Sequence, residues 1–163
     1  MPIFVSVILA VFLLLADQLT KYLVLQNLAD GTVITILPRI LQFRYVENTG
    51  MAFSLLEGRS WLLGFFTLAV CAALIVVLVK EKNLDSGKQF ALLLIISGGL
   101  GNGIDRLCRH YVVDFVEVLF TDFAVFNLAD CCITVGAILL ILLLLIDMIK
   151  EEKQKKQEKE NHE

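Results

Sequence analysis

The chain has 163 residues, enough for one domain, and 58% of them are hydrophobic, with a mean hydropathy of +0.78. That apolar share excludes an ordinary soluble domain and points to a membrane protein. The formal net charge of −3 carries little information, because the C-terminal "KEEKQKKQEKENHE" mixes both signs.

A bilayer-spanning helix needs about 20 mostly apolar residues. Four stretches qualify: residues 3–22, 61–79, 90–104 with their flanks, and 128–148. The first carries Asp17 and Lys21 near its end. It reads as a retained span rather than a cleaved signal peptide. No Lys or Arg precedes it, no A-x-A-like site follows it, and three further spans come after it.

The connection after the first span is more than a loop. "ILQFRYVE" alternates Leu41, Phe43 and Tyr45 with Gln42 and Arg44, a strand pattern of period two, and "TVITILP" before it is similarly β-branched. A small sheet resting on the membrane is expected. "ENTGMAFSLLEG" follows, and Asn48 and Thr49 are placed to start a short helix with Met51, Phe53 and Leu55 in the interface.

The second span leads into a loop with Lys80, Lys82 and Lys88, and the tail holds Lys150, Lys153, Lys155, Lys156 and Lys159. The positive-inside rule puts both on the cytoplasmic side. Both termini are then cytoplasmic, and the connections 23–60 and 107–125 are outside. Arg39, Arg44, Arg59 and Arg109 on the outer side moderate the bias. The tail reads as a solvated helix end or a disordered segment.

The third span is the weakest, because glycines cluster at its end in "GGLGNGID". Its "NGID" (102–105) is echoed by "NLAD" (127–130) at the start of the fourth span, each with an amide and a carboxylate at i, i+3 on one helix face. Of the four cysteines, Cys71, Cys131 and Cys132 fall in spans and Cys108 does not. All four read as small core residues, with no C-x-x-C to suggest metal or redox chemistry.

Elimination narrows the chemistry. The two histidines are His110 and His162, and the second lies in the charged tail. No serine stands in a nucleophile-elbow setting. There is no H-E-x-x-H and no zinc spacing, and "GGLGNGID" lacks the Lys-Ser/Thr of a phosphate-binding loop. Neither a metal nor a cofactor is expected.

Aspartates remain. Asp17, Asp105, Asp114 and Asp130 all fall near the outer ends of spans, so the topology brings them to one depth. Intramembrane acids usually have a partner or a task. Each has a structural reading: Asp17 and Lys21 as an i, i+4 ion pair, and Asp105 as the counter-ion of Arg106. Asn127 and Asp130 have the form of a capping box. Asp114 in "VVDFVEV" can be an outward-facing strand residue. Brought together in a half-dry site, however, two carboxylates share a proton. One can then activate water while the other protonates a leaving group. A proton- or ion-coupled transporter or a structural subunit would also place acids at this depth, and the short N-x-x-D echo is the one hint of a transporter's repeats.

"DQLTK" (17–21), "ENTGMAF" (47–53), "GGLGNGIDR" (98–106), "VVDF" (112–115) and "FNLAD" (126–130) stand in that order. Together, in a four-span chain of this length, they resemble the lipoprotein signal peptidase (signal peptidase II) family of bacterial membranes. The resemblance covers residues 10 to 148. It implies an all-α membrane protein with four transmembrane helices, an extracytoplasmic β-cradle over about residues 28–60 and a short interfacial helix. The peptidase domain is expected over 1–149 and the charged cytoplasmic tail over 150–163. The implied activity is an intramembrane aspartic endopeptidase of the bacterial cytoplasmic membrane. It would cleave prolipoproteins immediately before a diacylglyceryl-modified cysteine. The resemblance implies Asp114 and Asp130 as the catalytic pair, and Asp17, Lys21, Asn48, Gly50, Asn102, Asp105, Arg106 and Asn127 as binding or supporting residues. Expected partners are diacylglyceryl-modified prolipoproteins and membrane lipid, not nucleic acid, with the chain acting as a monomer. Gly103 stands where the family usually has a larger apolar residue, and Cys131 and Cys132 where it has small ones.

Overall fold

The computed structural model describes residues 3–50, 59–81 and 84–160. Seven elements follow in order: α1 (Ile3–Leu28), β1 (Val33–Leu37), β2 (Leu41–Asn48), α2 (Ser60–Lys80), α3 (Ser86–Cys108), β3 (Val112–Val118) and α4 (Leu128–Glu160). All four helices are long and apolar enough to cross a membrane. The expected interfacial helix with Met51, Phe53 and Leu55 lies outside the described residues.

α3 is the central helix and packs against the other three. Its glycines make this possible. A Cβ on Gly98 would overlap the Ala129 carbonyl oxygen of α4, one on Gly99 would come within 2.5 Å of Cys71 Sγ of α2, and one on Gly101 would strike the Asp17 carboxylate of α1. The cluster that weakened this span in the sequence is thus its packing surface, since small residues let membrane helices approach closely. Gly103 belongs to the same surface, 2.9 Å (from its would-be Cβ) from Leu68 Cδ2. The start of α3 is fixed by Asp85, whose carboxylate accepts from the backbone N–H groups of Gly87 and Lys88 at 2.8 and 3.0 Å. Lys88 in turn pairs with Asp147 of α4.

The three strands form one antiparallel sheet in the order β1-β2-β3. The strand pattern in residues 33–48 is borne out. The third strand comes from the connection before α4, outside the 28–60 segment expected to form the cradle. β3 pairs with β2 through Val46↔Asp114, Glu47↔Val113 and Asn48↔Val112. Side chains alternate across a strand. Val113 and Phe115 therefore pack on Val24 and Leu28 of α1, while Asp114 points to the other face. α4 runs through Lys150 to Glu160 without interruption. Cys71 and Cys132 are buried, but Cys108 is exposed, because it closes the last turn of α3.

Candidate functional site

Three backbone hydrogen bonds bring β3 and the start of α4 together. The N–H groups of Phe115 and Val116 both donate to the Phe126 carbonyl, at 3.0 and 2.8 Å, and Phe126 N–H donates back to Val116 at 3.1 Å. This strap sets Asp114 beside the first turn of α4. Asn127 then caps that helix reciprocally: its Oδ1 accepts from Asp130 N–H at 2.9 Å, and Asp130 Oδ2 accepts from Asn127 N–H at 3.1 Å. The capping box read from the sequence is real, and it does not exclude a second role. The same Asn127 donates through Nδ2 to Asp114 Oδ1 at 2.7 Å. One residue therefore donates to both carboxylates, through its side-chain amide to Asp114 and its backbone N–H to Asp130.

Asp114 is 2% exposed, so the outward-facing reading is overturned. The sheet's other face is turned into the protein by the strap to Phe126. Asn48, at the end of β2, donates to Asp114 Oδ2 at 2.8 Å, and Gly50 N–H holds the Asn48 oxygen at 3.1 Å. Burial pushes the Asp114 carboxyl up to about 6, and the neighbouring Asp130 adds to the shift, against the opposing hydrogen bonds from Asn48 and Asn127. Asp130 receives a further donor, Asn102 Nδ2, at 2.7 Å.

Behind Asn102 lies a buried ionic cluster. Lys21, fully buried, donates to Asn102 Oδ1 at 2.8 Å and pairs with Asp17 at 2.8 Å and Asp105 at 3.0 Å. Asp17 reaches across to accept from Ala129 N–H of α4 at 3.0 Å. Asp105 accepts from Val113 N–H at 3.3 Å and pairs with Arg109. The expected Asp105–Arg106 pair is corrected here: on a helix, neighbours in sequence diverge, and Arg109 at i+4 is the residue on the same face. Arg106 lies within electrostatic reach of Asp130 and Asp114 as well as Asp105, and its buried Nε has no hydrogen-bond partner among the described residues.

The structure thus gathers Asp17, Lys21, Asn48, Gly50, Asn102, Asp105, Arg106, Asp114, Asn127 and Asp130 around one locus. Sequence reasoning missed Arg109, which the i, i+4 spacing to Asp105 could have revealed. It also missed Gln18, whose amide reaches the Gly101 carbonyl at 3.2 Å and Asp105 at 3.4 Å. Among the described residues no group of three His, Cys, Asp or Glu side chains is placed to hold a metal ion.

The sequence profile of the family described as Signal peptidase (SPase) II matches residues 9–146. The chain belongs to the signal peptidase II family. Lipoprotein signal peptidases of Streptococcus pyogenes serotypes M3 and M5 are similar to it, at 45% and 44% identity over 135 residues, which cover 82% of this chain and 89% of each relative. Two solved structures, described as bacterial membrane enzymes determined by the in meso method at 2.3 and 1.9 Å resolution, share the fold. The first has a TM-score of 0.81 at 33% identity and covers 90% of this chain and 91% of its own. The second has 0.80 at 34%, covering 88% and 94%. As a signal peptidase II family member, the chain is a peptidase and a multi-pass membrane protein.

Proposed function

We propose that this protein removes signal peptides from bacterial prolipoproteins, cutting immediately before a diacylglyceryl-modified cysteine, with Asp114 and Asp130 as its catalytic pair. The observation that carries the pair is the shared Asn127: Nδ2 on Asp114, backbone N–H on Asp130. Burial raises the Asp114 carboxyl, which suits Asp114 to act as the acid of the pair. Asp130, with two N–H donors at a helix N-terminus, acts as the carboxylate.

In the reaction, Asp130 takes a proton from water as the water oxygen bonds to the scissile carbonyl carbon. Asp114 gives its proton to the leaving nitrogen as the C–N bond breaks. Asn48, Asn102 and Asn127 hold the two carboxylates in place. Arg106, with an unused Nε–H, faces the pair and suits a substrate carbonyl. The lysine-rich loop and tail lie on the cytoplasmic side, and the site faces the outer interface, where a lipid-anchored cysteine is held by its acyl chains. The enzyme acts as a monomer in the cytoplasmic membrane.

The test is a gel-shift assay of a lipidated prolipoprotein with purified full-length protein. Wild type should release the signal peptide, and Asp114→Asn and Asp130→Asn should each lose cleavage by about a thousandfold or more while remaining folded. Substantial turnover by either folded variant removes that residue from the pair.

A further inference from the structure

Three asparagine amides donate to the two acids, and each amide is held by a donor on its oxygen. Asn48 Oδ1 accepts from Gly50 N–H, and Asn127 Oδ1 accepts from Asp130 N–H. Both are backbone groups. Asn102 Oδ1 accepts from the Lys21 ammonium. An ammonium can only donate, so the Asn102 atom facing it must be oxygen, and its NH2 must face Asp130. Asn127 Nδ2 also approaches Asn102 Oδ1, at 3.2 Å, but it is shared with Asp114 and the Val113 carbonyl. Two hydrogens cannot serve three acceptors fully.

We infer that Lys21 is a positioning residue that fixes the polarity of the Asn102 amide, so that Asp130 always meets a donor and never an acceptor. This deepens the proposed function and rests on Asp130 belonging to the pair. Lys21 is fully buried and touches neither acid of the pair by hydrogen bond. An ion pair alone would need only Asp17 and Asp105, and the third contact goes to the amide that serves Asp130. Without the ammonium, the Asp17 and Asp105 oxygens that Lys21 holds would draw the Asn102 NH2 toward themselves. Its oxygen would then face Asp130.

Among the described residues the charged groups around the pair are Lys21 and Asp17 on α1 and Asp105, Arg106 and Arg109 on α3. Turning an acceptor toward Asp130 and removing a buried cation both favour the protonated pair. Both limbs of the pH–kcat profile should therefore move to higher pH in Lys21→Met. At neutral pH kcat should fall about ten- to a hundredfold, with KM nearly unchanged. Lys21→Arg, still a pure donor, should recover most of the rate. Lys21→Met/Asp17→Asn removes the cation with one of its carboxylates. It supplies the same reading should the single variant fail to fold, because Asp105 keeps Arg109. In an Asn102→Leu background, Lys21→Met should add no further loss of kcat.

The experiment uses full-length protein in detergent micelles with a lipidated prolipoprotein substrate. A folded variant lacking the Lys21 ammonium that keeps wild-type kcat and pH profile overturns the inference. So does an undiminished effect of Lys21→Met in the Asn102→Leu background, which would make the lysine a structural ion-pair partner only. Failure of the catalytic-pair reading shows separately, as activity retained in Asp130→Asn.

Discussion

α2 and α3 are both membrane helices of similar length, yet they are built on opposite plans. In α2 only 17% of the most apolar stretch is buried inside the protein, and Trp61, Phe65, Phe66 and Val79 are all more than half exposed. In α3 the buried share is 67%, although its most apolar stretch is the least apolar of the four. In water such a pattern would be inverted. In a bilayer the apolar residue is the one that faces out, and the interior takes glycine, asparagine, aspartate and arginine. The helix that looks worst as a span is the one that holds the site. That contrast can be tested by substitutions on either side of it.

The largest effect on stability belongs to Asp105 in α3, which faces Lys21, Arg109 and Val113 N–H in a dry place. Asp105→Asn takes the carboxylate partner from Arg109 and one of two from Lys21, and unfolding should be easier by roughly 3 kcal/mol. Arg106, which feels the Asp105 charge without an ion-pair contact, should respond less than Lys21 or Arg109. The matching control is Lys156→Ala at the far end of α4. Its Glu152 partner lies at 3.1 Å, but the two side chains are 72% and 70% exposed, so the melting temperature should not move. Equal losses in the two variants would break the contrast.

Asp114 gives a pH-dependent version of the same test. Its carboxyl is raised to about 6 in the fold from an ordinary 3.8. The folded state therefore binds the proton more tightly than the unfolded chain. The associated stability is fully present below about 3.8 and is lost as pH rises through about 6. Asp114→Asn has no such titration. Relative to wild type it should gain on the order of 3 kcal/mol between pH 4 and pH 7. At pH 4 it should be the less stable protein, because one end of its amide must meet an N–H donor from Asn48 or Asn127. Thermal unfolding at the two pH values reads the difference, and a constant gap would show that Asp114 does not titrate in this window.

What was legible in the sequence follows the same division. The four spans, the strand pattern of residues 33–48 and the convergence of four aspartates could all be read, because length, periodicity and topology depend on the chain alone. The structure extends α1 beyond residue 22 to Leu28 and α4 beyond residue 148 to Glu160, since helical hydrogen bonds do not stop at a hydropathy boundary. The partner of Asp105 was misread because adjacency in sequence was taken for adjacency in space. β3 was legible as a strand around Asp114. Its place in the sheet depends on pairing with β2 across more than sixty residues, which no local pattern encodes. The glycines of α3 were read as weakness, because their meaning lies in what another helix brings up against them.

Those glycines give the next effect in size. Gly98→Ala would push a methyl group into the Ala129 carbonyl, a backbone atom that cannot swing aside. Overpacking of this kind costs about 1–3 kcal/mol. It also displaces the residue beside Asp130, so cleavage should slow along with the loss of stability. Gly31→Ala, with nothing within 4 Å of a new Cβ but φ at +91°, should lose about 1 kcal/mol through backbone strain alone and leave the cleavage rate unchanged. A fully active and stable Gly98→Ala would mean that α3 and α4 are not held as closely as the structure places them.

The smallest effect is expected on the outward face of α2. Phe66 is 66% exposed, so most of its ring faces outward rather than into the protein. In a soluble core, trimming a large apolar side chain leaves a cavity. Here lipid or detergent chains close over the gap, and they are as apolar as the atoms removed. Phe66→Leu should therefore change stability by less than about 0.5 kcal/mol and leave prolipoprotein cleavage at the wild-type rate. The measurement is thermal unfolding and a rate assay in matched detergent and in bilayers. If Phe66→Leu loses more than about 1 kcal/mol in bilayers but not in detergent, the face is covered by protein rather than by lipid. A second copy of the chain would be the first partner to look for, and the monomer proposed above would give way to an assembly packed through α2.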